Sequence, residues 1–384
     1  MAVIVDAAAL SARVSDKTIW TFVRLTSDSG HVGWGEATLK DSAAEVHAHV
    51  REWAGKLVGL RLSSPAEVTD RLAIRGRRPA AAASAIDQAL WDVIAQERGE
   101  ALFRALDEPQ RSTIDLYANI NRGTRDRSPA GFGTRAKEVV ARGFAAVKIA
   151  PFDEVRSDCD DKAELSKAVK AGLERITAVR AAIGPEPRLL VDCHWRLSEV
   201  LAGDILRETE SLKLYWLECP ISEDASNLDA LRRLPSTANT RGVRLAGCEM
   251  MTGVDGFRPF IDAGSYDVIM PDVKYAGGLR EFGRIAAAAA RRDIACSPHN
   301  PSGPIAHVHS LHVSALLPMF PFLELQYGES PLFFEFVEGV LPDPRSGSSP
   351  LPQGAGLGVG IGGSAFHERL ITFEDGAVLR QAAK

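Results

Sequence analysis

The chain has 384 residues, of which 45% are hydrophobic and 25% charged, and its formal net charge is −5 at pH 7. This length suffices for one large domain and a smaller one, and an acidic balance without a block of Lys or Arg argues against nucleic acid as a ligand. No run approaches the roughly 18 apolar residues of a membrane span, and the N-terminal residues do not resemble a secretory leader. We therefore expect a cytoplasmic protein that acts on a small molecule and makes no membrane contact.

Alternating apolar and polar residues near the N-terminus predict antiparallel strands. Residues 18–25 alternate, Ser29-Gly30 predicts a turn, and the pattern resumes at residues 32–36. The alanine-rich run from 79 to 106 has helical period and a small-residue face suited to close packing. We predict an α+β domain over residues 1–113 that carries no obvious chemistry of its own.

From residue 114 the pattern changes to a strand followed by a helix, repeated along the chain. The predicted strands are 114–119, 145–149, 189–194, 214–219, 243–249, 267–272, 294–299 and 322–326. These alternating β units predict an α/β fold, a (β/α)8-type barrel over residues 114–345, whose active site lies at the C-terminal strand ends. The glycine-rich segment 346–384 is expected to leave the barrel and rejoin the first domain.

Three consecutive predicted strands end in an acidic residue. Asp192, Glu218 and Glu249 close the third, fourth and fifth strands of the barrel. Three carboxylates at one place would repel each other, and all-oxygen coordination suits Mg²⁺. The pattern predicts a magnesium site. The alternative is that each acid forms an ion pair with Lys or Arg across the barrel mouth.

The sixth and seventh strands end in Asp272 and His299, which we expect to be neighbours. A carboxylate beside an imidazole fixes the tautomer of the ring and raises its basicity, so His299 is predicted to abstract a proton. Lys148, at the end of the second strand, could hold a substrate carboxylate or enolate oxygen, or could form an ion pair with one of the metal ligands.

Two further polar residues follow Asp192 on the same face of its strand. His194 could bind metal, but Mg²⁺ prefers oxygen, so we assign it the role of a general acid. Arg196 continues that face. It either binds the substrate directly or supports the residues that do.

These residues resemble the enolase superfamily, and within it the mandelate racemase-like branch, over nearly the whole chain. The resemblance rests on the three strand-end acids and on four further segments: 32–36, 85–92, Pro271-Asp272 followed by Gly277-Gly278, and the glycine-rich tail. It implies a (β/α)7β barrel with a capping domain built from both ends of the chain. It also implies that Mg²⁺ binds a substrate carboxylate while a base removes the α-proton. Glu324 resembles the electrophilic glutamate of the eighth strand, with Glu329 as a competing candidate.

Two features distinguish reactions within this branch. The racemases resemble each other in a Lys-x-Lys pattern on the second strand, and here the second position is Ala150. The Asp192-Cys193-His194 sequence is instead similar to the acid sugar dehydratases, such as galactonate and mannonate dehydratases. The resemblance therefore implies a hydro-lyase that converts a sugar acid into a 2-keto-3-deoxy acid. A long charged segment after Phe152 departs from the family pattern and leaves the substrate open.

Three other activities remain open from the sequence. A cycloisomerase would use the same base and metal on an anhydro or lactone sugar acid, a racemase or epimerase would only exchange the proton, and a metal-dependent binding protein would have lost turnover. Substrate contacts are expected from Asn119, Asn121, Arg196 and Glu329. The resemblance also implies a homo-oligomer.

Overall fold

The computed structural model describes residues 2–16, 18–61, 65, 76–156, 158–374 and 377–381. The strands in this part of the chain are β1 (Ile4–Arg13), β2 (Ile19–Ser27), β3 (Val32–Glu36), β4 (Thr113–Asn119), β5 (Ala146–Ile149), β6 (Arg188–Asp192), β7 (Leu214–Glu218), β8 (Arg244–Gly247), β9 (Val268–Ile269), β10 (Ala295–Cys296), β11 (Leu323–Gln326), β12 (Val337–Gly339), β13 (Ser348–Pro350), β14 (Val359–Ile361), β15 (Leu370–Glu374) and β16 (Ala377–Gln381). The α-helices are α1 (Ala43–Gly55), α2 (Arg77–Arg98), α3 (Leu102–Leu106), α4 (Pro129–Ala141), α5 (Lys162–Ile183), α6 (Glu199–Glu208), α7 (Leu228–Asn239), α8 (Gly253–Ala263), α9 (Leu279–Ala290), α10 (Pro304–Ser314), α11 (Leu332–Glu335) and α12 (Gly363–His367). Among the described helices, none has both the length and the apolar character needed to cross a bilayer.

Strands from both ends of the chain form one antiparallel sheet in the order β16-β15-β1-β2-β3. Helices α1 and α2 pack against it, and together these elements are the capping domain. The approach of α2 to β3 is very close, because a Cβ added at Gly35 would lie 1.9 Å from the Ala85 carbonyl oxygen. The buried Asp92 accepts a hydrogen bond from the Trp34 backbone at 2.9 Å. The small residues of α2 and of β3 therefore fit each other backbone to backbone.

Helix α2 is shorter than the predicted run of 79–106. It ends at Gly99, which adopts a left-handed conformation (φ 66°), and the short helix α3 follows. Glycine adopts positive φ without the penalty that a Cβ imposes, so it stops the helix inside a continuous hydrophobic pattern.

The second domain is a barrel of parallel strands in the order β10-β9-β8-β7-β6-β5-β4-β11. Hydrogen bonds from the Cys296 backbone to Met319 O (2.8 Å) and from Ser297 Oγ to Phe322 O (2.7 Å) link the two ends of this order. Helices α4 to α10 follow strands β4 to β10 one by one, and α11, the helix after β11, has only 4 residues, which fits the predicted (β/α)7β form. Strand β13 adds an antiparallel partner to β4 before the chain returns to the capping domain.

The barrel interior is filled by a cluster of apolar residues that alternate along its strands. They are Tyr117, Ala146, Leu190, Trp216, Ala246, Val268, Met270 and Phe322, with Ala295 packed against them. The intervening residues of each strand pack outward against the helices. The polar residues at the C-terminal strand ends therefore sit on an apolar floor.

Helix α10 joins the two domains through buried polar contacts. The fully buried Glu36 of β3 accepts hydrogen bonds from the backbone N–H groups of Gly303 and Ala306, at 2.8 and 2.9 Å, where the helix begins. Further along, His309 Nε2 donates to Trp34 O at 2.9 Å, and His312 Nε2 donates to Leu357 O at 3.1 Å. Side chains of a barrel helix thus bond directly to the capping domain and to the C-terminal tail.

Candidate active site

The three predicted metal ligands lie together above the barrel floor. Asp192 and Glu218 end β6 and β7, Glu249 follows β8, and their ligand oxygens lie within 4.8 Å of one another. All three residues are buried. No hydrogen-bond partner for Glu249 Oε2 lies among the described residues. The donor set is all oxygen and contains an unpaired buried acceptor, so it fits a hard divalent cation.

The electrostatics of this cluster also favour a cation. Burial raises the pKa of Glu249 well above its usual value, and repulsion from Asp192 and Glu218 adds to the effect. Burial and the neighbouring acids raise the pKa of Glu218 to about 7, although Lys148 opposes them. For Asp192, burial is outweighed by attraction to His194 and Lys148, which lowers its pKa to about 2. A divalent cation would stabilise all three carboxylates in their charged form.

Lys148 connects this cluster to the eighth strand. Its Nζ donates to Glu218 Oε1 at 2.5 Å and lies 3.0 Å from Glu324 Oε1. The ammonium is buried over the ring of Tyr117, 5.2 Å from the ring centroid. The ion pair of Lys148 with the metal ligand Glu218 is present. Because this ion pair also places the ammonium beside the acidic cluster, the geometry is compatible with the other predicted role, a contact with a substrate oxygen.

Glu324 lies in the site, and its environment keeps it charged. Its carboxylate accepts hydrogen bonds from Asn119 Nδ2 (2.6 Å) and from the Asn300 backbone (2.9 Å). Burial alone would raise the pKa of Glu324, but Lys148, His299 and these hydrogen bonds lower it to about 2. A carboxylate accepts hydrogen bonds and cannot donate them. Glu324 therefore lies where it can orient Lys148. Its contact with an intermediate stays a prediction.

Glu329 contacts residues other than the metal cluster. Its carboxylate accepts hydrogen bonds from Thr18 Oγ1 of the capping domain (2.9 Å) and from Arg122 (3.1 Å). It therefore links the segment just before β2 to the loop after β4, and the structure brings Glu324, not Glu329, to Lys148.

The predicted dyad is present in the segments that follow β9 and β10. His299 Nδ1 donates to Asp272 Oδ2 at 2.8 Å, which leaves Nε2 free to accept a proton, and Nε2 lies 3.6 Å from Glu249 Oε2. Lys274, which was not predicted from the sequence, donates to the same Asp272 oxygen at 2.7 Å and also to Ser302 Oγ. Burial alone would raise the pKa of Asp272, but Lys274 and His299 together lower it.

His194 contacts the metal cluster through Asp192. Its Nε2 is 2.9 Å from Asp192 Oδ2, and its side chain is 41% exposed. The residue has a left-handed backbone (φ 47°), as does Trp195 (φ 58°). Attraction to Asp192 raises the pKa of His194, which favours the protonated ring that a general acid requires.

The predicted substrate contacts have different environments. Arg196 Nη1 donates to the backbone oxygens of Asp153 (3.0 Å) and Val155 (2.9 Å), so this group holds the charged loop after β5. Asn119 Nδ2 donates a hydrogen bond to Glu324, and Asn119 Oδ1 accepts one from the Asn121 backbone N–H at 3.0 Å. Asn121 Oδ1 is buried without a partner among the described residues.

Sequence reasoning missed Lys274, Asn300 and Ser302. Lys274 follows Asp272 by two residues in the turn after β9, where its backbone N–H also donates to Asp272 Oδ1 at 2.8 Å. An Asp side chain that bonds the backbone two residues on is a common turn pattern, which is the signal that could have placed Lys274 beside it. Asn300 adjoins His299, but nothing in the sequence indicates that its backbone N–H reaches Glu324.

Comparison with known proteins agrees with this geometry. The model of the mandelate racemase/muconate lactonizing enzyme N-terminal domain matches residues 4–106, and that of the enolase C-terminal domain-like family matches residues 131–365. The chain belongs to the mandelate racemase/muconate lactonizing enzyme family. The resemblance identified from the sequence is thus confirmed.

Two relatives of this family member have names that state a reaction. D-galactonate dehydratase of Verminephrobacter eiseniae (strain EF01-2) is 30% identical over 304 residues, which are 77% of this chain and 75% of that protein. D-gluconate dehydratase of Thermoproteus tenax is 31% identical over 353 residues, which are 88% of this chain and 67% of that protein. A solved enolase superfamily member from Salmonella Typhimurium shares the fold, with a TM-score of 0.86, 22% identity and coverage of 97% of this chain and 100% of that one.

Proposed function

We propose that this family member is a Mg²⁺-dependent acid sugar dehydratase. It would remove the C2 proton of a sugar acid, eliminate the C3 hydroxyl as water and release a 2-keto-3-deoxy acid. The observation that carries the proposal is the pair of imidazoles beside the acidic cluster: His299, held by Asp272, and His194, which contacts Asp192. Elimination needs one base and one acid, and each histidine suits one of these roles.

Asp192, Glu218 and Glu249 would hold the metal. When bound, Mg²⁺ would act as a Lewis acid on the substrate carboxylate and make the α-proton more acidic. The all-oxygen donor set supports Mg²⁺ over softer metals, which prefer sulfur or imidazole ligands.

The other residues supply the proton transfers and the charge stabilisation. His299 Nε2 takes the C2 proton, while Lys148 donates a hydrogen bond to the negative charge that develops on a carboxylate oxygen. As the C2–C3 double bond forms, the C3–O bond breaks, and His194 gives its proton to the departing hydroxyl. The resulting enol takes up a proton at C3 and becomes the 2-keto product.

Racemisation has less support. It requires a second base on the face opposite His299, and the position where the second lysine of the racemases would lie is the buried Ala150. The names of the two relatives also favour dehydration.

The test is proton NMR of the protein with Mg²⁺ in D₂O, with D-galactonate and D-gluconate as the first acids and other aldonic, aldaric and uronic acids after them. A deuterated 3-deoxy methylene signal from an open-chain acid supports dehydration and identifies the substrate. The same signal from an anhydro or lactone form alone would favour the cycloisomerase. Exchange at C2 without a new product would favour racemisation, and no change with any acid would contradict the proposal.

A further inference from the structure

Strand β8 delivers its ligand differently from the two strands before it. In β6 and β7 the ligand follows the interior residue by two positions, since Leu190 precedes Asp192 and Trp216 precedes Glu218. Asp192 pairs in register with Glu218, and Glu218 with Ala246. The third ligand therefore does not come from the same level of the barrel, where β8 has only an alanine.

Glu249 lies three residues beyond Ala246, and an odd offset points to the wrong face of a regular strand. The structure resolves this conflict at Cys248. This residue has a left-handed backbone (φ 68°), and its side chain packs into the outer apolar core that contains Leu245 and Ile269. The local turn thus places Cys248 outside and lets Glu249 join the acidic cluster. A residue with a Cβ pays an energetic penalty for this conformation, so something must hold it.

Glu223, in the loop after β7, makes the contact that holds the turn. Its Oε1 accepts a hydrogen bond from the Cys248 backbone N–H at 2.6 Å, and the same oxygen accepts one from Tyr266 Oη at 2.8 Å. The carboxylate can reach the strand because residue 247 is glycine. A Cβ there would lie 2.5 Å from Glu223 Oε1 and 2.4 Å from Tyr266 Cζ.

We propose that Glu223 is a positioning residue for the metal site. By accepting from Cys248 N–H, it fixes the turn that brings Glu249 to Asp192 and Glu218, and it thereby sets the affinity of the site for a divalent cation. This inference rests on the metal site of the proposed function. Loss of a residue that orients a metal ligand typically weakens metal binding 10- to 100-fold.

The test is the affinity of the full chain for Mg²⁺, measured by isothermal titration calorimetry, with Mn²⁺ binding followed by electron paramagnetic resonance. Glu223→Ala should weaken binding by about 10-fold or more. Glu223→Gln should bind Mg²⁺ within about 3-fold of wild type, because its amide oxygen can still accept a hydrogen bond from Cys248 N–H. The small loss of affinity is expected because a hydrogen bond to an uncharged acceptor is weaker than one to a carboxylate. Asp224→Ala is the matched control, since it removes the next carboxylate of the same loop, which contacts Ser222 and Ser226 instead of β8.

The outcomes separate this inference from the proposed function. If the wild type binds neither cation, the metal site itself fails. If the wild type binds and Glu223→Ala binds equally well, the positioning role is overturned. Should Glu223→Ala not fold, Glu223→Asp keeps the charge but is one methylene too short to reach Cys248. It should lose about 10-fold in affinity, and unchanged binding would again overturn the inference. Thermal unfolding of the metal-free variants shows whether a loss of affinity is separate from a loss of stability.

Discussion

The arrangement of His299 leaves one ring nitrogen free. Since Asp272 accepts a hydrogen bond from His299 Nδ1–H and Nε2 faces the acidic cluster, replacing His299 with Asn removes the base without removing a metal ligand. We expect kcat/KM to fall by about 10² to 10⁴, with loss of C2 proton exchange in D₂O and Mg²⁺ affinity close to wild type. Near-wild-type turnover would show that another group is the base.

His194 should affect only the second half of the reaction. His194→Asn retains a polar group near Asp192 but cannot protonate the leaving hydroxyl. We expect product formation to slow by about 10² while the C2 proton still exchanges with solvent, as followed by NMR. Equal loss of exchange and product formation would contradict the assignment of His194 as the acid.

Lys274 compensates the buried charge of Asp272. Both side chains are almost fully buried, so Lys274→Met leaves a carboxylate without its ammonium partner. Removal of one partner of a buried ion pair costs about 3 kcal/mol in the free energy of unfolding, and the loss should appear in urea denaturation. The double variant Lys274→Met/Asp272→Asn should recover part of this loss. Strictly additive losses would mean that the two residues are not energetically coupled.

At the level of single residues, the sequence predicts which polar residues lie at the strand ends better than it predicts the contacts that position them. The acids of β6 and β7 follow from the alternation of interior residues, whereas Glu249 breaks that alternation and depends on a contact from Glu223. Arg196 illustrates another limit, because its position on the chain does not reveal that its guanidinium reaches the loop after β5.

At the level of elements, the closest contact in the capping domain is the one between α2 and β3. Gly35→Ala would place a Cβ 1.9 Å from the Ala85 carbonyl oxygen, so either the helix or the strand must move. We expect a loss of about 3 kcal/mol or more in the free energy of unfolding, measured in urea. Gly55→Ala, in α1 with no atom within 4 Å of the added Cβ, should be neutral or slightly stabilising. Similar stabilities for the two variants would contradict the packing described here.

The periodicity of the sequence predicts all eight barrel strands, but not their ends. Residues such as Asp272 and His299 were included in predicted strands, whereas β9 and β10 each contain only two residues. The polar ends leave the ladder because they bond to side chains and loops of the site, which no local pattern reports. Likewise, the helical period of the sequence continues past Gly99, although the helix α2 ends there.

At the scale of the whole molecule, the buried histidines of α10, the helix that joins the two domains, should make the free energy of unfolding depend on pH. Burial lowers the pKa of His309 and of His307 to about 3 and that of His312 to about 4. Because the unfolded chain takes up these protons near pH 6.5 and the folded protein does not, stability is present above that pH and is lost as the pH falls. Each histidine contributes a loss of about 2 kcal/mol between pH 8 and pH 5.

His309→Gln tests this linkage, since an amide N–H can still donate to Trp34 O. Urea unfolding at pH 8 and pH 5 should show a difference between the two pH values that is about 2 kcal/mol smaller in the variant than in wild type. The comparison between proteins is needed because burial raises the pKa of Asp87 to about 7, and that shift acts in the opposite direction. An identical pH dependence in both proteins would exclude His309 from the effect.

The two-domain arrangement itself follows from the change of pattern near residue 114 and from the resemblance to the family. The contacts of α10 with the capping domain do not follow, because they join residues far apart in sequence, such as Glu36 and Gly303.

The pairing of β1 with β15 has a consequence for synthesis on the ribosome. Ser11 lies opposite Ile371, so one edge of the first sheet has no partner until a strand about 360 residues later in the sequence has been synthesised. At about 5–20 residues per second, that edge stays open for roughly 20 to 70 s. An open strand edge is a template for pairing with a neighbouring nascent chain. The edge of β1 is therefore exposed during translation and is covered when β15 pairs with it.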